Sequence, residues 1–122
     1  MIKNDNLFLG SYLTDQSNDV FQVVAIGDKD IRVFNKTQDQ FINLWIPTKK
    51  FKQITITEEW LEELGFFKSD KNKYVNVLTS DVVLNVEFGS ETKICKLYLC
   101  DSLVKYIFGV DELQSIIKSL NL

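Results

Sequence analysis

The sequence predicts a small α+β fold: a β-rich N-terminal half forming an SH3-like curled sheet, a short central helix, an antiparallel β-meander and a C-terminal amphipathic helix. Three observations carry this expectation. Short runs of β-branched and aromatic residues crowd the first 46 positions. Val82, Leu84, Val86 and Phe88 alternate with Val83, Asn85 and Glu87, the period of a half-buried strand. Leu113, Ile116, Ile117 and Leu120 recur at helical spacing near the C-terminus. The chain has 122 residues, 45% of them apolar and 25% charged. That size and composition fit a single compact domain over 1–122 with subregions 1–53 and 54–122, and exclude disorder. Five Gly and one Pro exclude collagen-like and linker sequences.

The elements follow in order. Leu7 to Leu13 is an apolar run interrupted by Gly10, and Val20 to Ile26 is a β-branched strand. Gly27-Asp28-Lys29-Asp30 turns the chain into Ile31 to Asn35. A polar stretch then leads to a fourth strand, Phe41 to Ile46, ended by Pro47. Four strands at this spacing imply a curled sheet or small barrel. Residues 57–65 read as a helix, with Thr57 as N-cap and Glu58 and Glu59 favoured by the dipole. Ile56 staples onto Leu61, and Gly65 stands at C′. Tyr74 to Thr79, Val82 to Phe88, the strand around Cys95, Leu97 and Leu99, and Leu103 to Phe108 form the meander, with turns at 89–91 and 101–102. Asp111 caps the last helix with Gln114 completing a capping box, and its stripe buries on one face of the second sheet.

Chemistry is constrained by what is missing. There is no histidine, which removes the usual general base near neutral pH and the commonest zinc ligand. The expectation is therefore not an enzyme, with no catalytic residues, no metal and no cofactor. Cys95 and Cys100 lack metal-ligand spacing; if 93–100 forms one strand they stand about 16 Å apart, too far to bridge. They read as reduced thiols. No run approaches the roughly 18 apolar residues of a membrane span, and the start lacks a signal-peptide pattern, so a cytoplasmic protein is expected. Net charge is only −3, and Arg32 is the one arginine against thirteen lysines. Specific readout of nucleic acid is therefore not favoured.

Three groups stand out as candidate partner-binding residues. Lys49, Lys50 and Lys52 cluster around Phe51, and Arg32, Phe34 and Lys36 precede them; basic residues interleaved with aromatics suit single-stranded nucleic acid or RNA carried by a partner. On the central helix, Glu58 and Glu62, like Glu59 and Glu63, are four apart and project together as an acidic ridge. Trp45, Trp60 and Phe67 are large apolar groups near presumed edges, suited either to core packing or to anchoring a partner.

The segments Asn6-Leu7-Phe8-Leu9-Gly10-Ser11-Tyr12-Leu13, Ile54-Thr55-Ile56-Thr57-Glu58-Glu59-Trp60-Leu61 with Gly65-Phe66, and Val104-Lys105-Tyr106-Ile107 with Glu112-Leu113-Gln114 resemble an uncharacterised family of small proteins from phages and prophages of Bacteroidota. The middle block is similar to that family's Thr-Glu-Glu-x-Leu…Gly-Phe pattern without its prolines. Phe8 stands where the family often carries Arg, and Asp111 where it carries His. The resemblance implies an architecture and a genomic habitat, and no activity. Small size, acidity, the lack of catalytic residue types and this resemblance together give the expectation of a phage accessory protein that binds a host protein, in its sharpest form an inhibitor of a CRISPR effector nuclease. Nucleic acid would be met only indirectly and no membrane is involved. The other expectations are an RNA- or ssDNA-binding module, and a virion or assembly component that pairs with a second copy.

Overall fold

In the computed structural model, residues 2–89 and 94–120 are described. They confirm an α+β fold of two antiparallel sheets and two helices. The chain divides into two compact units: one runs up to Ile54 and includes Val110–Ile116, and the other comprises Thr55–Gly109 with the chain from Ile117 onward.

In the first unit, strands β1 (Tyr12–Thr14), β2 (Val20–Ile26) and β3 (Asp30–Asn35) form an antiparallel meander. Two short strands, β4 (Gln40–Phe41) and β5 (Ile46–Pro47), both pair with β3. Alternation in β3 sends Ile31, Val33 and Asn35 inward. Ile31 and Val33 meet Leu13, Phe21, Val23 and Phe51 in the core, where the Phe21 and Phe51 rings pack edge-to-face at 5.3 Å. Buried Asn35 is satisfied: its amide donates to Asp19 (3.0 Å), and its Oδ1 accepts from the Gln38 N–H (2.9 Å).

Two expected strands are corrected here. Only Tyr12–Thr14 of the 7–13 run is strand. Gly10 adopts φ +103°, and the Ser11 hydroxyl accepts from the Phe8 N–H at 3.1 Å, so the chain turns before it extends. The 41–46 strand is split in two. Between the pairs Phe34↔Phe41 and Ile31↔Ile46, β3 advances three residues while the other side advances five. Two residues are therefore extruded, and Leu44 and Trp45 face solvent.

In the second unit, helix α1 (Glu58–Glu63) starts at Thr57, whose hydroxyl accepts from the Trp60 N–H (3.3 Å). It ends as the sequence indicates. Gly65 takes φ +95°, the Gly65 N–H donates to Glu62 and the Phe66 N–H to Leu61. Five strands then form one meander: β6 (Phe67–Asp70), β7 (Lys73–Thr79), β8 (Val82–Phe88), β9 (Cys95–Leu99) and β10 (Ser102–Ile107). β6 has no counterpart among the expected strands. It is a solvent-exposed edge strand with no hydrophobic alternation, and pairing with β7 alone defines it. Tyr74, Leu84, Val86, Cys95, Leu97 and Ile107 make the buried face. The turn expected at 89–91 lies, from Ser90, outside the described residues. Cys95 is buried and Cys100 exposed, and both are free thiols; burial pushes the Cys95 thiol up to about 11.

Helix α2 (Val110–Leu120) departs from the expected cap. It begins at Val110, so Asp111 lies inside the first turn, and the stripe expected on the second sheet is divided, with Leu113 and Ile116 in the first unit and Ile117 and Leu120 in the second. Gln114 forms no capping box. Its Oε1 accepts from the Tyr12 N–H (2.8 Å), and its Nε2 donates to the Gly10 carbonyl (3.1 Å). Thr14 and Lys52 exchange both backbone bonds on the same strand, at 3.0 and 2.8 Å. The edge of β1 is thus closed by one side chain and one residue of main chain. Gln114→Ala leaves a partly buried N–H and C=O unpaired and should lower stability by about 1–3 kcal/mol. Urea denaturation of the two proteins measures it, and an unchanged midpoint would contradict this account of the closure.

Candidate functional site on the outer face of the first sheet

The outward residues of the first sheet fall into register. Tyr12 pairs with Gln22, Gln22 with Phe34, and Phe34 with Phe41, so these four stand in line across β1 to β4. The Phe34 and Phe41 rings are 4.7 Å apart. At one end the Lys36 ammonium lies 4.7 Å from the Tyr12 ring centroid. One step along β3, Arg32 places its guanidinium 5.9 Å from the centroid of Trp45 and donates to Asn43 Oδ1. The extruded residues complete the surface. Phe41 is 72% exposed, Leu44 69% and Trp45 49%. Three large apolar side chains, within five positions and beside a guanidinium, form an exposed apolar patch with a cationic border. Patches of this kind mark interaction sites on soluble proteins.

The other sequence candidates are dispersed. Lys49 and Lys50 are exposed on a 3-10 turn (Thr48–Lys50) and line a cavity of about 440 Å³ with Asp15 and Gln16. Lys49 also borders a cavity of about 810 Å³ with Asn4, Asp28, Asp30 and Thr48. Carboxylates beside the ammonium groups offset the local positive charge. Lys52 is exposed, and its main chain is committed to Thr14. The basic residue that joins the aromatic line is Lys36, not the 49–52 group.

In the second unit Glu59 and Glu63 are exposed on α1, Trp60 is half-buried, and Phe67 is 56% exposed on edge strand β6. Glu58 has a structural role. It accepts a hydrogen bond from the buried Tyr74 phenol, and burial together with this carboxylate pushes that phenol up to about 12.

Phe41 and Leu44 escape sequence reasoning because a continuous strand would bury alternate members of 41–46. The available signal is Asn43 in the middle of the run, a residue that favours turns.

Among the described residues, Asp111 is a carboxyl whose pKa is raised, by burial first, opposed by the hydrogen bond from Gln53 Nε2 at 3.0 Å. It is 4% exposed and lines neither of the two cavities. No group of three or more metal-ligating side chains occurs among the described residues. Nor, among them, is any helix long and apolar enough to cross a membrane. No protein-family model, curated protein or solved structure matches this chain.

These environments lead to distinct mutational outcomes. Phe41→Ser and Leu44→Ser should each change stability by less than about 0.5 kcal/mol, whereas Ile31→Ala should cost about 2–5 kcal/mol; denaturant titration separates the two classes. Asp111 has a raised folded pKa, so the native state holds its proton more tightly than the unfolded chain. That contribution is complete below the ordinary value of 3.8 and is lost as pH rises through the folded value. Asp111→Asn should therefore gain stability relative to the parent as pH rises toward neutral, read as diverging urea midpoints.

Proposed function

We propose that this chain is a non-enzymatic accessory protein of a phage or prophage that works by binding a host protein through the outer face of its first sheet. The observation that carries the reading is the exposed cluster of Phe41, Leu44 and Trp45 beside Arg32. Aromatic and arginine side chains dominate binding hot spots because they remove much apolar area from water at little entropic cost. The lack of histidine and the resemblance to small phage proteins support the same reading. Its sharpest form is an inhibitor of a host defence nuclease of the CRISPR type, acting in the bacterial cytoplasm. Net charge of −3 is too small for mimicry of nucleic acid, so shape would supply the affinity.

The test is protection of an infecting phage in cells that carry a CRISPR nuclease. The parent should restore plaque formation, and a Phe41→Ser, Trp45→Ala variant should lose at least about 30-fold in partner affinity, the scale of a hot-spot loss, while keeping its melting temperature. A variant that protects as well as the parent would remove this face from the mechanism.

A second reading is favoured by one feature, the line of Tyr12, Phe34 and Phe41 with Lys36 and Arg32 beside it. Stacking rings with flanking cations suit single-stranded nucleic acid. That reading requires anisotropy of a labelled oligonucleotide to rise at low salt and to fall steeply as salt is added.

A further inference from the structure

The second sheet has a face that the buried core does not use. Leu103, Tyr98, Asn85, Val75 and Phe67 are joined by successive pairings and form one line across all five strands. On one side of that line lie Val83 and Val77. On the other lies a second line, Tyr106, Lys96, Glu87 and Lys73, in which the last two form an ion pair at 3.8 Å. On β7, β8 and β9 these residues alternate with Tyr74, Leu84, Val86, Cys95 and Leu97 of the buried face; β6 and β10 continue the lines by pairing. Phe67, Val77, Leu103 and Tyr106 are 56%, 54%, 47% and 58% exposed. A sheet normally turns polar residues to water on its open side; here the open side carries an apolar stripe and a charged stripe.

We infer that this face pairs with the same face of a second copy of the chain, about a dyad parallel to the strands and midway between β8 and β9. The charge order supports this occupant. Such a dyad lays β8 over β9 of the second copy and β7 over its β10. Glu87 then faces Lys96 of the second copy, and by symmetry Lys96 faces Glu87 of the second copy. Lys73 meets the ring of Tyr106, Asn85 meets Tyr98, and Val75 meets Leu103. Apolar stripe covers apolar stripe, and each charge finds an opposite charge or a π face. Twist rotates packed sheets by about 30°, so the pairs nearest the dyad, Glu87 with Lys96 and Asn85 with Tyr98, align best.

The dyad overlaps the four strands β7 to β10 and leaves β6 at the rim. Four strands about 4.8 Å apart and up to about seven residues long present about 19 by 23 Å. A face-to-face pair thus covers about 900 Å² in total, the size of a weak contact that dissociates on dilution. The dimer concerns the second sheet and is independent of the partner assigned to the first.

Sedimentation velocity over a concentration series tests it. The parent should sediment as a dimer that dissociates on dilution. Val77→Asp and Leu103→Asp, both on exposed positions, should give monomers with unchanged far-UV circular dichroism. Glu87→Lys or Lys96→Glu alone should weaken the dimer by about tenfold, because symmetry counts each lost pair twice. The double reversal should return affinity to within about threefold of the parent. A parent that stays monomeric at submillimolar concentration would overturn the inference, including the case in which a foreign protein covers this face. So would a dimer indifferent to Val77→Asp and Leu103→Asp, or a double reversal no better than the singles.

Discussion

Strand β3 sets both the core and the candidate site of the first unit, and its alternation is the constraint from which the rest follows. Ile31 and Val33 are fully buried, so Arg32 and Phe34 must point the other way. A register slip of one residue would exchange the two sets and expose the core. The ring pairings with Phe41 and Trp45 then depend on where β4 and β5 join β3. The burial that stabilises the sheet therefore also fixes the geometry of its outer face. Leu44 and Trp45 are exposed because two pairings of β3, at Phe34 and at Ile31, cannot be spanned by a strand two residues too long.

Closure of β1 shows a different balance. A three-residue strand is too short to hold its own edge by ladder bonds. Gln114 supplies one acceptor and one donor in the spacing of a strand residue, and Lys52 supplies a main-chain pair. The helix that begins at Val110 thus contributes hydrogen bonding to the first unit as well as the apolar burial of Leu113. Asp111, one turn earlier, is held by Gln53. The cost of burying its charge appears as a raised pKa, an unfavourable contribution set against the fit of the helix start.

Much of the fold is legible in the sequence. Val82 to Phe88 alternates and folds as β8; Thr57 and Gly65 bound α1; Asp101 and Ser102 lead into β10. These features are local, and local chemistry suffices to specify them. The failures share a cause. Three-residue spacing makes Gln114 a capping partner of Asp111, but its bonds go to Gly10 and Tyr12, more than a hundred residues away. The 41–46 run looks like one strand because a two-residue insertion is visible only against the register of β3. Phe67–Asp70 lacks alternation because an edge strand exposed on both faces needs none. For the site, residue type alone identifies Trp45, Arg32 and Phe34. Proximity in sequence groups the lysines of 49–52, and the fold places two of them beside Asp15 instead.

Three groups among the described residues have raised pKa values with physical causes in the fold: Tyr74, Asp111 and the Cys95 thiol, the last pushed up by burial alone. Perturbed titration marks active sites when nothing structural accounts for it. Tyr74 is fully buried, and its phenol is occupied by Glu58. Asp111 is buried at a helix start and occupied by Gln53. Among the described residues, every buried side-chain nitrogen and oxygen has a hydrogen-bond partner. Both of these raised values therefore have a structural cause in the packing around each group. Exposed large apolar side chains instead lie on the outward faces of the sheets, at Phe41 and Leu44 in the first and at Val77 and Leu103 in the second.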